Sequence, residues 1–165
     1  MTDKKDIEEK FWKALRSDRT VMLGLRGLQA DGSQPMTLVF EDDETKGPLY
    51  TFTANDTDLS RALGNGAGAV ADFAAKGHDL FASIHGHLEP YNDRATIDRL
   101  WNPYVAAWFE GGKSDPKLQL LRFDPSDAQI WLNEHSLLAG IKLMLGRDPK
   151  KEYADKTADL NLSRR

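Results

Sequence analysis

The sequence predicts a mainly β domain, an antiparallel barrel with helices packed on its outside. Three observations carry that prediction. Short runs of β-branched, aromatic and aliphatic residues follow one another with only turn-forming clusters between them, which is the signature of successive hairpins. Helical patterns fall at the two ends and in the middle, so the regular βαβα order of a doubly wound parallel sheet is missing. The chain has 165 residues, of which 40% are hydrophobic, enough to build one domain with a substantial core. Residues 1–145 are read as that domain and 146–165 as a polar tail.

The elements follow in order. Asp6 and Glu9 have capping-box spacing, and Ile7, Phe11 and Leu15 put one apolar stripe on a first helix that ends near Ser17. TVMLGLR, from Thr20, is a strand leading into Asp31-Gly32, a pair suited to the positive φ angles of a hairpin turn. In QPMTLVFE, Met36, Leu38 and Phe40 alternate with Thr37 and Val39, a pattern expected of a strand covered on both faces, with Pro35 at its start. LYTFTA, residues 49–54, is a third strand. Asp56 or Thr57 then caps a short helix that Gly64 ends. AVADFAA and DLFASIHGHLE are two more strands joined by KGHD. A helical stretch follows, capped by Asn92 or Asp93, interrupted at Pro103 and stopped by Gly111-Gly112. LQLLRFD and AQIWL read as a final strand pair around a PSD turn, and SLLAGIKLMLG as an amphipathic helix before the tail.

Composition excludes several kinds of chemistry. With no cysteine, thiol catalysis and cysteine-ligated metals are absent, and the chain suits a reducing cytoplasm, where we expect it. A formal charge of -4 argues against a general nucleic-acid binder. No apolar run approaches the roughly 20 residues of a membrane span, and MTDKKDIEEKFW lacks a signal-peptide core. GNGAGA follows a helix and precedes a strand, the reverse of a dinucleotide-binding loop, and no GxSxG is present.

Three constellations remain. The junction at residues 53–59 brings Thr53, Asn55 and Thr57 to the first turn of a helix, where free amides attract anions; the residues themselves favour an ordinary helix cap, and Asp56 and Asp58 oppose a phosphate. His85, His87 and Glu89 share one strand face, but three ligands in line about 6.6 Å apart reach one metal poorly, so no metal is expected. Trp101, Tyr104, Trp108 and Phe109 form an aromatic group suited to a core, an oligomer interface or the wall of a planar ligand.

RTVMLGL, DGSQPMT, LYTFTANDTD, the block IDRLWNPYVAAWFEGGKSDPKLQLLRFDP and AQIWL, in that order, resemble the general stress protein branch of the pyridoxamine 5'-phosphate oxidase-like, FMN-binding split-barrel family. The resemblance covers about residues 6–133. It implies a six-stranded antiparallel split barrel, a homodimer, and one FMN, or FAD, in each of two clefts between the subunits. Gln34, Met36, Thr37, Phe52, Thr53 and Ala54 match the flavin-facing strands. Trp101 and Trp108 match the aromatic positions that close the site from the partner. Relatives carry an arginine before Pro-Met and a lysine at the start of the short helix; here these are Gln34 and Leu59. The phosphate would then rest on the helix amides with Asn55, Thr57, Ser60 and Arg61. The function so implied is flavin binding with oxidoreductase chemistry on an unknown substrate. The alternative is a non-catalytic ligand-binding or protein-interaction module, and deazaflavin or haem are further ligands of the same barrel.

Overall fold

The structure is a computed structural model and describes residues 3–27, 32–133 and 157–163. Among the described residues seven strands form one antiparallel sheet: β1 (Thr20–Leu25), β2 (Gln34–Thr37), β3 (Leu49–Ala54), β4 (Ala67–Ala74), β5 (Leu80–Pro90), β6 (Leu118–Leu132) and β7 (Thr157–Asn161). Their spatial order is β2-β1-β4-β5-β6-β3, with β7 also on β6. The two ends of this path nearly meet. Val39, just beyond β2, bridges to Tyr50 of β3, and the Thr51 hydroxyl donates to the Thr37 carbonyl at 2.9 Å. The sheet therefore curls into a barrel whose seam between β2 and β3 stays open beyond this one bridge, the split-barrel architecture.

The helices are α1 (Lys4–Asp18), α2 (Asp58–Leu63), α3 (Arg94–Leu100) and α4 (Pro103–Ala106), followed by a 3₁₀ turn at Gly112–Ser114. Ile7, Phe11, Trp12 and Leu15 of α1 are buried against Val21, Leu23, Ile84 and Leu88, and this hydrophobic face holds α1 on the sheet. Asp6 does not cap it. The helix starts earlier, with Asp3 at the N-cap and Asp6 inside the first turn, where a carboxylate still suits the helix dipole. A second cluster, with Tyr50, Ile97, Leu100, Val105, Leu118 and Leu120, packs α3 and α4 over β3 and the first half of β6. Asp93 caps α3 by accepting from the Thr96 amide, while neighbouring Asn92 accepts from the Leu120 amide instead.

The strand expected to be covered on both faces is covered on one. Met36 and Leu38 are buried, but Thr37 is exposed, because the outer face of β2 looks into a cleft. PSD is not a turn. β5 pairs along its whole length with β6, from Leu80↔Leu132 to Pro90↔Leu121, and the register shift at His85/Gly86 leaves Ser126 without a ladder partner on β5. Pro125 lacks an amide hydrogen and fits such a bulge. The Ser126 carbonyl instead accepts from the amides of Leu162 and Ser163. Part of the segment read as a polar tail is strand β7, whose Ala158 and Leu160 are buried and whose ladder runs from Asp127↔Asn161 to Trp131↔Thr157. The expected helix SLLAGIKLMLG, most of the tail and Asp31 of the predicted turn lie outside the described residues; Gly32 has the expected positive φ of 78°. No helix among the described residues is long and apolar enough to cross a membrane.

At the bulge, burial pushes the Asp127 carboxyl up, but hydrogen bonds from the Ser126 hydroxyl and the His85 ring outweigh it and hold the group below 3.8. A lowered folded-state value stabilises the fold above pH 3.8, and that contribution disappears as pH falls through the folded value. Asp127→Asn is therefore expected to lower the melting temperature at neutral pH, with the gap to wild type closing below pH 3.8. A gap that persists unchanged into acid would contradict this reading.

Candidate functional site: a cleft at the open seam

A cleft of about 550 Å³ opens where the seam fails to close. That volume lies in the range of small-molecule sites. One wall is the chain from Pro35 to Val39, another is Phe52, Thr53 and Ala54 at the end of β3, and the third is the α4 segment. Asp18 and Arg19, where α1 ends, close one end.

Local chemistry builds the third wall. Asn102 is the N-cap of α4, its side chain accepting from the Val105 amide at 3.0 Å, and Pro103 takes the first helical position, where a missing amide hydrogen costs nothing. Val105 and Phe109 turn inward and are buried. Tyr104 and Trp108 turn outward and are 86% and 84% exposed at the cleft's edge. Trp101 stands behind the wall, edge-on to Phe52 at 6.0 Å and tilted against Phe109 at 6.3 Å.

The polar residues lining the cleft are Asp18, Arg19, Thr37, Thr53, Asn102 and Tyr104. The Thr37 and Thr53 hydroxyls make no hydrogen bond among the described residues, although Thr53 is only 9% exposed. A polar ligand edge meets available donors there and apolar or aromatic surface from Met36, Phe52 and Trp108 around them.

Of the candidate site residues and aromatic group singled out from the sequence, Met36, Thr37, Phe52, Thr53, Ala54, Tyr104, Trp108 and Phe109 come together around this cleft. The others stand outside its lining. Gln34 pairs with Leu23 further along β2. The Asn55 side chain donates to the Pro116 carbonyl at 2.8 Å. Thr57 caps α2, accepting from the Ser60 amide, and the Thr57 and Ser60 hydroxyls both donate toward the Ala54 carbonyl. Leu59 is buried in the core, and Arg61 is exposed beside Asp58 at 3.4 Å. Trp101 supports rather than lines. Sequence reasoning missed Asp18 and Arg19, which lie in a helix end far from any motif, and Asn102, although LWNP flagged its neighbourhood.

The histidines of β5 keep separate partners. His85 contacts Asp127 at 2.8 Å and His87 lies 3.9 Å from Glu89. Among the described residues no group of three or more His, Asp or Glu is placed to hold a metal ion.

The family model described as pyridoxamine 5'-phosphate oxidase like matches the chain over residues 6–153. The chain belongs to the pyridoxamine 5'-phosphate oxidase-like family. Solved structures similar to the chain include general stress proteins. A general stress family protein from Xanthomonas campestris pv. campestris is 57% identical, with a TM-score of 0.75 over 82% of this chain and 93% of its own. The general stress FMN/FAD binding protein from Xanthomonas citri is also 57% identical, with a TM-score of 0.74 over 80% of this chain and 92% of its own. A general stress protein 26 from Jannaschia sp. CCS1 is 28% identical, with a TM-score of 0.74 over 96% and 99%. No curated protein matches the chain.

Proposed function

We propose that this family member binds a flavin nucleotide, FMN or FAD, in the seam cleft, and that two copies of the chain form the working unit. The observation that carries the reading is the pair of unpartnered hydroxyls, Thr37 and Thr53, set among Met36, Phe52 and Trp108. A tricyclic ring with polar atoms along its edge fits such a surface: the apolar faces remove ring area from water, and the hydroxyls replace the hydrogen bonds the ring edge loses. The Xanthomonas citri relative, named as an FMN/FAD binding protein, supports the choice of ligand. The nearly naked ring of Tyr104 supports the second copy, since a large aromatic left in water is what an interface covers.

A bound flavin supplies two-electron transfer with a nicotinamide or another small acceptor. The chain's own residues position it. Phe52, braced by Trp101, fixes one wall; Thr37 and Thr53 orient the polar edge; Trp108 shields what remains exposed. No side chain of this protein is assigned a proton-transfer step. The reaction we favour is a flavin-dependent oxidation or reduction in which the protein contributes binding, orientation and water exclusion.

Calorimetric titration with FMN and with FAD tests the reading, with sedimentation on the same samples. We expect one flavin per chain, a dimeric mass, and an oxidised-flavin spectrum that bleaches on adding NADH or NADPH. Absence of heat with both nucleotides would overturn it.

A further inference from the structure

We infer that Asn102 and Asp115 are positioning residues for the cleft: they clip the two ends of its aromatic wall and so hold the Trp108 ring where a planar ligand lies. The inference rests on the proposed flavin binding and deepens it. Its starting point is the Trp108 ring. The ring lines the cleft and is almost fully exposed, and among the described residues it stacks on no other ring and makes no hydrogen bond. The indole has little of its own to hold it, and its place is set through the backbone that carries it.

That backbone is short and local. α4 has four residues and continues into single turns, in which the Trp108 amide donates to the Val105 carbonyl at 3.0 Å and the Phe109 amide to the Ala106 carbonyl at 3.3 Å. A helix this short is not stable by itself, so the bonds at its ends decide where it sits. At the start, Asn102 makes two bonds at once: Oδ1 accepts from the Val105 amide at 3.0 Å, and Nδ2 donates to the Leu100 carbonyl at 3.3 Å. The first bond caps α4. The second reaches back to the last residue of α3 and fixes how the two helices meet. Asn102 also lines the cleft, beside the ring it helps to place.

Asp115 does the corresponding work at the far end. Its carboxylate accepts from the Gly111 amide at 3.0 Å and the Lys117 amide at 2.9 Å, closing the loop that follows Phe109. That loop is tied in turn to the wall made by β3. Just past Ala54, the Asn55 amide donates to the Lys117 carbonyl and the Asn55 side chain to the Pro116 carbonyl, both at 2.8 Å, while Ala54 itself pairs with Leu118. Between the two clips Val105 and Phe109 turn into the core, which fixes the depth of the segment and leaves its course along the cleft to Asn102 and Asp115. A helix cap or a loop bond ordinarily steadies the fold and nothing more. Here the pair brackets one exposed indole at a cleft, and that bracketing couples them to binding.

The test is a double-mutant cycle on the full chain, read by calorimetric titration with FMN, with thermal melts on the same samples. Asn102→Ala leaves α4 uncapped, so a fraction of the molecules holds the indole out of place and the apparent affinity falls by that fraction. We expect a loss of about fivefold, the equivalent of one N-cap. Asn102→Ser keeps an acceptor for the Val105 amide and should bind within about twofold of the wild type. Asp115→Ala should weaken FMN by about threefold to fivefold without touching the cap of α4. In a Trp108→Ala background both losses should shrink below about twofold, because residues that act through one ring stop mattering once the ring is gone. Losses of the same size with and without Trp108, or an Asn102→Ala variant that binds as the wild type does, would overturn the inference. A wild type that binds no FMN would instead overturn the reading of the cleft on which it rests, and the inference with it.

Discussion

Replacing Gly86 with alanine lowers the melting temperature by roughly 6–12 °C, the largest effect we expect from a single added methyl group. Gly86 sits opposite Pro125 where the β5–β6 register shifts. A Cβ there would overlap the carbonyl oxygen and carbon of Asp124 and come within 2.9 Å of the Phe123 ring. Backbone atoms of a long central strand cannot move aside as a flexible side chain can. Overpacking of this kind costs about 3 kcal/mol, and a chain of this length loses about 2–4 °C per kcal/mol. Gly68→Ala is the control: it lies on β4, where the nearest atom to a new Cβ is 3.7 Å away on Arg26, and its melting temperature should be unchanged or slightly higher. The strand that carries this bulge, β6, also pairs with β3, whose Phe52 and Thr53 form one wall of the cleft. Equal melting temperatures for the Gly86 variant and the wild type would contradict this account of the bulge.

Trp108→Ala should separate function from stability. The ring is 84% exposed, so its removal leaves the melting temperature close to that of the wild type, as for most surface substitutions. Flavin affinity should nonetheless fall roughly tenfold, corresponding to about 1.5 kcal/mol of aromatic contact. Trp101→Ala is expected to behave in the opposite sense. That ring braces Phe52 and Phe109, so its loss costs about 2 kcal/mol of stability and weakens binding only through the wall it supports. The sequence places both tryptophans in one aromatic group; the structure gives them different work. Calorimetry of both variants, with thermal melts on the same samples, checks the distinction.

Much of the fold is legible because its signals are local. LYTFTA occupies the very residues of β3, Thr57 caps α2, and Pro103 divides α3 from α4 where the missing amide hydrogen requires. Failures came where distant partners decide. PSD carries turn residues, yet the eleven residues of β5 hold it in an extended strand with a bulge. TADLN shows only Ala158 and Leu160 alternating between polar neighbours, and it becomes a strand because β6 offers a free ladder. The apolar alternation in QPMTLVF was read as two buried faces, whereas Thr37 faces the cleft, since an open seam leaves one side of β2 without a neighbouring layer.

The cleft followed the same division. Residues matched strand by strand, from Met36 to Thr53, converge on it. Arg19 and Asp18 reach it only because α1 ends beside β2, a tertiary fact with no trace in local pattern. The resemblance implies Thr57, Ser60 and Arg61 as phosphate ligands; in the structure the two hydroxyls bond to each other and to Ala54, and the arginine projects beside Asp58.

A crystal of the protein grown with FMN gives the most direct measurement of the central claim. The account predicts ring density in the seam between β2 and β3, with polar ring atoms within hydrogen-bonding reach of Thr37 and Thr53 and Trp108 against the ring. Density for the nucleotide elsewhere, for instance in the groove beside Met22, Phe81 and Trp131, or a cleft that stays free of flavin at saturating concentration, would contradict it.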